Sequence, residues 1–322
     1  MIKKILITGA GGFIGGSLVK HLKTFPNVKI RAVDKKPFSE WYQIFDDVEN
    51  HCLDLQEIKN CRKVTIDINE IYNLAADMGG MGFIEHNKAL CMLSVLTNTH
   101  LLIAAKENKI KKFFFSSSAC VYNAEKQKDA NIISLKEEDA YPALAEDGYG
   151  WEKLFSERMC RHFNEDFGIE TRIARYHNVY GPFGTYEGGR EKAPAAICRK
   201  VIKAKINKKN EIEIWGDGNQ TRSFMYIDDC IKGTTMLMES DFKNPINIGS
   251  SEKVTINQLV DIAEKIAGIK LNRKYNLNAP KGVNGRNSDN TLILEKFNWQ
   301  PSISLENGIE KTYQWIYDQI VK

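Results

Sequence analysis

Tyr149 and Lys153 stand four residues apart in the run Tyr149-Gly150-Trp151-Glu152-Lys153, a spacing that sets both side chains on one face of a helix. A phenol with an ordinary pKa near ~10 is a weak base at neutral pH, but a fixed ammonium beside it stabilises the phenolate and turns it into a usable proton acceptor. Upstream, the run Phe115-Ser116-Ser117-Ser118-Ala119-Cys120-Val121-Tyr122 ends an apolar stretch in three hydroxyls and a thiol. A hydroxyl, a phenol and an ammonium brought together make a proton relay. Y-x-x-x-K alone is common and ordinarily marks two half-solvated helix residues, so its weight rests on what accompanies it.

What accompanies it is the turn Gly9-Ala10-Gly11-Gly12-Phe13-Ile14-Gly15, between a short apolar run at 5–8 and a helical pattern at 13–22. Glycines there permit a tight turn and close backbone approach to a pyrophosphate, while the helix start offers unpaired N–H groups and a partial positive charge. The G-x-x-G-x-x-G spacing departs from the G-x-G-x-x-G of ordinary dehydrogenases. Asp34 follows Gly15 by nineteen residues and ends the run KIRAVD, where a carboxylate accepts hydrogen bonds from adenosine ribose hydroxyls. Its charge repels a ribose phosphate, so NAD is expected over NADP, with Lys35 and Lys36 working against that choice. Gly9, Gly12, Phe13, Ile14 and Gly15 are thus expected around the pyrophosphate. Asp54, Leu55, Ala75 and Ala76, after the third and fourth predicted strands, and Ser116, at the end of the fifth, are expected along the rest of the dinucleotide.

These groups need elements to hold them. Strands are expected at 5–8, 29–34, 51–53, 71–74, 112–117 and 171–175, and helices at 13–22, 89–108 and 149–164. Alternating strands and helices, with strands as short apolar runs, imply an α/β fold: a Rossmann-type, doubly wound parallel sheet covered on both faces. Residues 1–175 are expected to form this NAD-binding domain, with returning segments near 220–240. Past residue 176, Gly181-Pro182, Gly184, Gly188-Gly189 and Gly216-Asp217-Gly218 break the chain into short pieces. Residues 176–322 are therefore expected to form mainly a smaller, interleaved lobe over the carboxyl ends of the strands, where substrates bind in such folds.

Composition excludes several classes. With 43% hydrophobic and 27% charged residues the chain has the makings of a globular core and not of a disordered segment. A net charge of +4 from interspersed Lys and Arg suits a small anionic ligand and leaves no basic stripe for nucleic acid. Seven scattered cysteines without a C-x-x-C pair argue against metal clusters and disulfides and for a cytoplasmic, reducing setting. No signal-peptide core is seen after Met1, and no eighteen-residue apolar run predicts a membrane span.

The glycine turn, Asp34, FSSSACVY and YGWEK, in this order, resemble the extended short-chain dehydrogenases. That resemblance makes Ser118, Tyr149 and Lys153 the serine, base and supporting cation of hydride transfer to NAD. A second set resembles, nearly end to end, the GDP-mannose 3,5-epimerases within the NAD-dependent epimerase/dehydratase family: NLAADMGGMG at 73–82, SSAC at 117–120, HNVYGPFGT at 177–185, GREKAPAA at 189–196, WGDGNQTRSF at 215–224 and GRNSD at 285–289. WGDGxQTRSF is shared among sugar-nucleotide enzymes; AADMGGMGF, SSAC and GREKAPAA are distinctive.

The resemblance implies an epimerase that oxidises a GDP-sugar at carbon 4. The ketone acidifies the hydrogens on carbons 3 and 5, and Cys120 and Lys192 serve as base and acid on opposite ring faces. A free cysteine is ordinarily a small buried hydrophobe and a lone lysine a solvated charge, so their motifs carry the assignment. Cys120, beside a cationic cofactor ring, is expected to have a lowered pKa. NAD returns the hydride and stays bound. Gly79, Ser118, Ala119, Cys120, Asn178, Glu191, Lys192, Ala193, Lys200, Gln220, Thr221, Arg222 and Arg286 are the implied substrate contacts, the two arginines on the diphosphate. A homodimer through the helices at 89–108 and 149–164 is implied by the resemblance alone.

The chain departs from that family at Tyr122-Asn123, where Tyr-Pro is usual, in the lysine-rich stretch at 124–131, and at Glu85-His86. The same cofactor chemistry also serves a 4-epimerase, a 4,6-dehydratase or a 4-dehydrogenase, on a GDP-hexose or a GDP-heptose. A regulatory protein that merely binds NAD is a third class, against which the Ser118, Tyr149 and Lys153 relay speaks.

Overall fold

Ile5, Leu6 and Ile7 are at most 2% exposed, the burial of a strand covered on both faces. In the computed structural model, which describes residues 2–131 and 133–322, they lie in β1 (Lys3–Thr8). Around it run β2 (Val28–Asp34), β3 (Glu49–Cys52), β4 (Glu70–Asn73), β5 (Lys112–Ser118) and β6 (Glu170–Tyr176), all pairing in parallel. Each predicted strand is present, within two residues of its expected ends. Phe113, Phe114 and Phe115 of β5 fill both faces of the sheet centre.

Between the strands run α1 (Phe13–Leu22), α2 (Ile58–Val64), α3 (Met81–His86), α4 (Lys88–Met92), α5 (Ser94–Glu107) and α6 (Tyr149–Phe167). The helix expected at 89–108 is divided at Leu93, whose backbone stays right-handed helical, so α4 and α5 run on with a slight break. The stretch Lys88–Glu107, although interrupted by polar residues, is long and apolar enough to cross a membrane by length and composition, with 44% of its most apolar window buried inside the protein. Leu101, Leu102, Ala104 and Ala105 belong to the core beneath the sheet with Phe113 and Ile173, which accounts for that apolarity.

Beyond β6 come β7 (Val179–Tyr180), α7 (Ala193–Ile206), β8 (Glu211–Trp215), β9 (Thr221–Ser223), β10 (Met225–Tyr226) and α8 (Ile227–Glu239). They are followed by β11 (Ile246–Ile248), β12 (Lys253–Thr255), α9 (Ile256–Ala267), β13 (Asn272–Asn276), β14 (Gly285–Arg286), α10 (Thr291–Phe297) and α11 (Leu305–Val321). β11 pairs with β6 as the seventh strand, giving the order β11-β6-β5-β4-β1-β2-β3. The sheet order reverses between β1 and β4, the crevice where such folds bind ligands. The remaining strands pair as β10-β7, β12-β9-β14 and β13-β8.

One buried ion pair ties the helix that carries Tyr149 and Lys153 to the sheet. Glu157 on α6 accepts two hydrogen bonds from Arg175 on β6, at 2.9 and 2.7 Å, and a third from the Ser117 hydroxyl of β5 at 2.5 Å. The two charged side chains are 3 and 2% exposed. Arg175 also lies over the Tyr122 ring, whose hydroxyl donates to Asn247 on β11. Such a pair costs much to desolvate and is costly to break, so it pins α6 in rotation against β5 and β6. Glu157→Gln is expected to destabilise the protein by about 3–5 kcal/mol, because it strands a buried guanidinium. Urea unfolding followed by circular dichroism measures this, and a loss within error of zero removes the pair from this role.

Candidate active site

The chain leaves β1 at Gly9 with φ of 69°, and a Cβ on Gly15 would stand 2.1 Å from the Gly9 carbonyl oxygen. The turn therefore closes only with glycine there. α1 starts at Phe13 without a side-chain cap, leaving the first N–H groups of the helix available for an anion. Asp34 closes the other side, accepting the Gly11 N–H at 3.1 Å and the Lys36 N–H at 3.0 Å. Lys35 reaches away from it to Asp77, with 2.5 Å between charges. Asp54 is exposed and holds the Gln56 N–H, whereas the Leu55 side chain lies in the core and leaves only its backbone to a ligand. Ala75 and Ala76 are half-buried after β4, and the Ser116 hydroxyl donates to the Asn73 carbonyl. A cradle closed to any side chain, uncapped N–H donors and a carboxylate at the end of β2 fit a dinucleotide.

Next to this cradle lies a cleft of about 240 Å³. Its wall brings together Ser118, Ala119, Cys120 and Tyr149 with Gly79, Asn178, Glu191, Lys192, Ala193, Lys200, Gln220, Arg222 and Arg286. Of the expected catalytic and substrate residues, Lys153 and Thr221 are not on the wall. Lys153 is buried below it, its ammonium 5.5 Å from the Tyr149 ring centroid, 4.7 Å from that of Phe115 and 3.6 Å from the Glu152 carboxylate. The Thr221 hydroxyl donates to the Ala130 carbonyl. Glu191 is on the wall but committed to protein partners, the Arg199 guanidinium and the Gly189 N–H. Lys200 likewise donates to the Glu213 carbonyl.

Two loops are welded at the cleft floor. A Cβ on Gly80 would come within 2.3 Å of the Glu191 carbonyl oxygen, and the Gly80 N–H donates to the Arg190 carbonyl. This contact seats Lys192, the residue that caps α7. Burial lowers the Lys192 ammonium pKa, moving it toward a group that exchanges protons. Burial pushes the Tyr149 phenol well up, with Ser118 acting in the opposite direction.

The thiol departs from expectation. Burial and the neighbouring Glu146 carboxylate push Cys120 up to about 11, against the pull of Arg286, so the protein's own surroundings favour thiol over thiolate. Arg286 is likewise not open to solvent. Its guanidinium donates to Gln127 at 2.7 Å, to Glu146 at 2.5 Å and to the Cys120 sulfur at 3.5 Å. Gln127 comes from the lysine-rich stretch that departs from the family pattern, and there it shapes the surroundings of the sulfur. Among the described residues the Arg222 guanidinium has only carbonyl partners, those of Thr221, Lys281 and Val283, and burial beside Arg286 lowers it to about 10. With Lys192 nearby, this wall holds more positive than negative charge, which suits a diphosphate.

Trp215, Arg199 and Lys281 also line the cleft and were not singled out from the sequence. Trp215 stands in the WGDG motif, and its indole is half-exposed at the cleft. Glu146 belongs to no motif.

A family model described as the NAD dependent epimerase/dehydratase family matches residues 5–249. The GDP-mannose 3,5-epimerase of Arabidopsis thaliana is 48% identical over 320 residues, covering 99% of this chain and 83% of that protein. The GDP-L-colitose synthase of Yersinia pseudotuberculosis is 29% identical, with 98% of each chain covered. Among solved structures, the Thermotoga maritima UDP-glucose 4-epimerase with UDP-glucose matches with a TM-score of 0.88 at 23% identity, covering 98% of this chain and 99% of that one. At that identity the likeness shows the fold alone. The Bacillus cereus UDP-glucuronic acid 4-epimerase, in complex with UDP-glucuronic acid and NAD, matches with a TM-score of 0.83 at 26% identity, again covering 98 and 99%.

Gly15→Ala drives a methyl into the Gly9 carbonyl and is expected to abolish dinucleotide retention. NAD released by acid from the purified variant measures it; a wild-type NAD content contradicts the assignment of the cradle.

Proposed function

The chain belongs to the NAD dependent epimerase/dehydratase family, and from that premise we propose that it inverts carbons 3 and 5 of GDP-mannose, or of a closely related GDP-sugar, through a transient ketone at carbon 4. The observation that carries the reading is that Cys120 and Lys192 line the same cleft as Tyr149 and Ser118. An acid/base pair beside a hydride-transfer relay is what inversion next to a ketone requires.

The Gly9–Gly15 turn and Asp34 would hold NAD, which would supply a reversible hydride acceptor for carbon 4. Tyr149 takes the proton of the carbon-4 hydroxyl, and Ser118 holds the same oxygen. Lys153 lies beneath the phenol and compensates its charge as it forms. Once the ketone exists, Cys120 and Lys192 remove and deliver protons at the neighbouring carbons, each working on its own face of the ring. Arg222, whose partners among the described residues are carbonyls alone, binds the diphosphate with its free charge. Arg286 stands at the sugar end, because its guanidinium touches the reacting sulfur.

The reading takes residues 1–175 as the NAD-binding part and 176–322 as mainly the sugar-nucleotide part. It also takes a cytoplasmic setting away from membranes and a homodimer joined through α5 and α6. In support of the dimer, Leu96, Trp151 and Phe155 lie 37, 40 and 52% exposed on those two helices. Sedimentation at twice the monomer mass is expected, and a monomer at micromolar concentration contradicts it.

Incubation of the NAD-loaded enzyme with GDP-mannose in heavy water is expected to place deuterium at carbons 3 and 5, read by NMR, without net NADH. Label at neither carbon overturns the proposal, whether a 4-epimerase or a dehydrogenase stands in its place. Cys120→Ser is expected to slow the exchange by at least about a hundredfold, the scale of a general acid/base group, while NAD stays bound. Unchanged exchange in that variant removes the cysteine from the chemistry.

A further inference from the structure

Glu146 is the carboxylate that faces the Cys120 thiol, and neither the relay nor the acid/base pair uses it. One of its oxygens accepts a hydrogen bond from Arg286 Nη2 at 2.5 Å, while Nη1 of the same guanidinium stands 3.5 Å from the Cys120 sulfur. The other oxygen, Oε2, is buried with no hydrogen-bond partner among the described residues. The backbone makes this juxtaposition rigid. The Glu146 N–H donates to the Cys120 carbonyl at 3.0 Å, and a Cβ on Gly150 would come within 2.3 Å of that same oxygen. The placement of the carboxylate is therefore built into the start of α6, next to Tyr149.

The charges around the sulfur give the arrangement its meaning. Facing Cys120 are Glu146, Arg286, Tyr149, Lys192 and Arg222. Three of these five are cations in their usual states, and a thiol among unopposed cations ionises readily. Glu146 cancels the nearest cation. Paired with its carboxylate, Arg286 presents a nearly neutral unit to the sulfur; without it, the sulfur meets a bare buried guanidinium.

We propose that Glu146 is a positioning residue for the acid/base step: by binding the guanidinium that touches the sulfur, it keeps Cys120 a thiol in the resting enzyme. The inference rests on the epimerisation proposed above. A thiol can deliver a proton on its face of the ring, and the thiolate left behind is then a base for the neighbouring carbon. The S–H bond breaks as the C–H bond forms, and the reverse holds for abstraction. A cysteine already ionised at rest provides only the second half.

The test uses the NAD-loaded wild type and Glu146→Gln. Carbamidomethylation of Cys120 by iodoacetamide, followed by mass spectrometry of its peptide, is measured from about pH 6 to 11, since the thiolate is the reacting form. Wild-type labelling is expected to rise only toward the alkaline end. In the variant the rising limb is expected to move down by about one pH unit or more, a tenfold faster labelling at fixed pH below the limb. The pH profile of deuterium entry into GDP-mannose is expected to move down with it. An unmoved labelling limb, in a variant that melts and retains NAD as wild type does, overturns the inference, as does a labelling shift that the exchange profile does not follow. Should Glu146→Gln fail to fold, Glu146→Asp is read instead: its carboxylate, withdrawn by one methylene, moves the limb part of the way in the same direction, and an unmoved limb again overturns the inference. Where the wild type admits no deuterium, so that there is no exchange profile to follow, a moved labelling limb in the variant overturns the epimerase reading and supports Glu146 as the control on Cys120 ionisation. Wild-type exchange with an unmoved limb does the reverse.

Discussion

Glu157 and Arg175 are sealed under the reactive helix with their four hydrogen-bonding atoms matched in pairs, and the orientation of the site depends on that match. Two charges out of water are stable only while both are present and correctly placed. α6 can therefore rotate or slide against β5 and β6 only by breaking the pair. Because Ser117 joins the same carboxylate, the strand that ends in Ser118 and the helix that begins with Tyr149 share one anchor. The relay of hydroxyl, phenol and ammonium is thus held by a polar lock about two helical turns from the chemistry, in addition to apolar packing.

Above that lock, the cleft is organised by an imbalance of charge. Arg222, Arg286 and Lys192 stand on one wall, and Glu146 compensates one of them. The uncompensated part suits a diphosphate, and the compensated part lies at the sulfur. Burial sets the remaining terms: it raises the Cys120 thiol and the Tyr149 phenol and lowers the Lys192 ammonium, so each drifts toward its neutral form. Groups in their neutral forms are suited to passing protons, and the charges needed for binding are left to the arginines, which remain ionised.

The fold and the relay were legible because they are written in short spacings. A glycine turn after an apolar run, a carboxylate nineteen residues on and a Tyr/Lys pair one helical turn apart each state a local geometry. β11 escaped notice because three residues, Ile246–Ile248, gain strand character only from pairing with β6. The partnership of Glu146 with Arg286 spans 140 positions and has no local signature. The protein's own influence on Cys120 was hidden for a related reason: the sequence announces a cationic cofactor nearby but not the buried carboxylate that, with burial, raises the thiol. Nor does the sequence show that Arg286, expected on the diphosphate, also has three protein acceptors, Gln127, Glu146 and the Cys120 sulfur. The departure at 122–131 is clearer in three dimensions, since Gln127 there holds Arg286 and the Ala130 carbonyl holds Thr221.

At the centre of the account stands a hydride that leaves carbon 4 for a retained nicotinamide and returns to the same carbon. GDP-mannose carrying deuterium at carbon 4, turned over in ordinary water with excess unlabelled NAD, tests it most directly. The account predicts that the epimerised product keeps the deuterium at carbon 4 and that none is found in free NADH. Loss of that label to water, or its transfer to the added NAD pool, contradicts it.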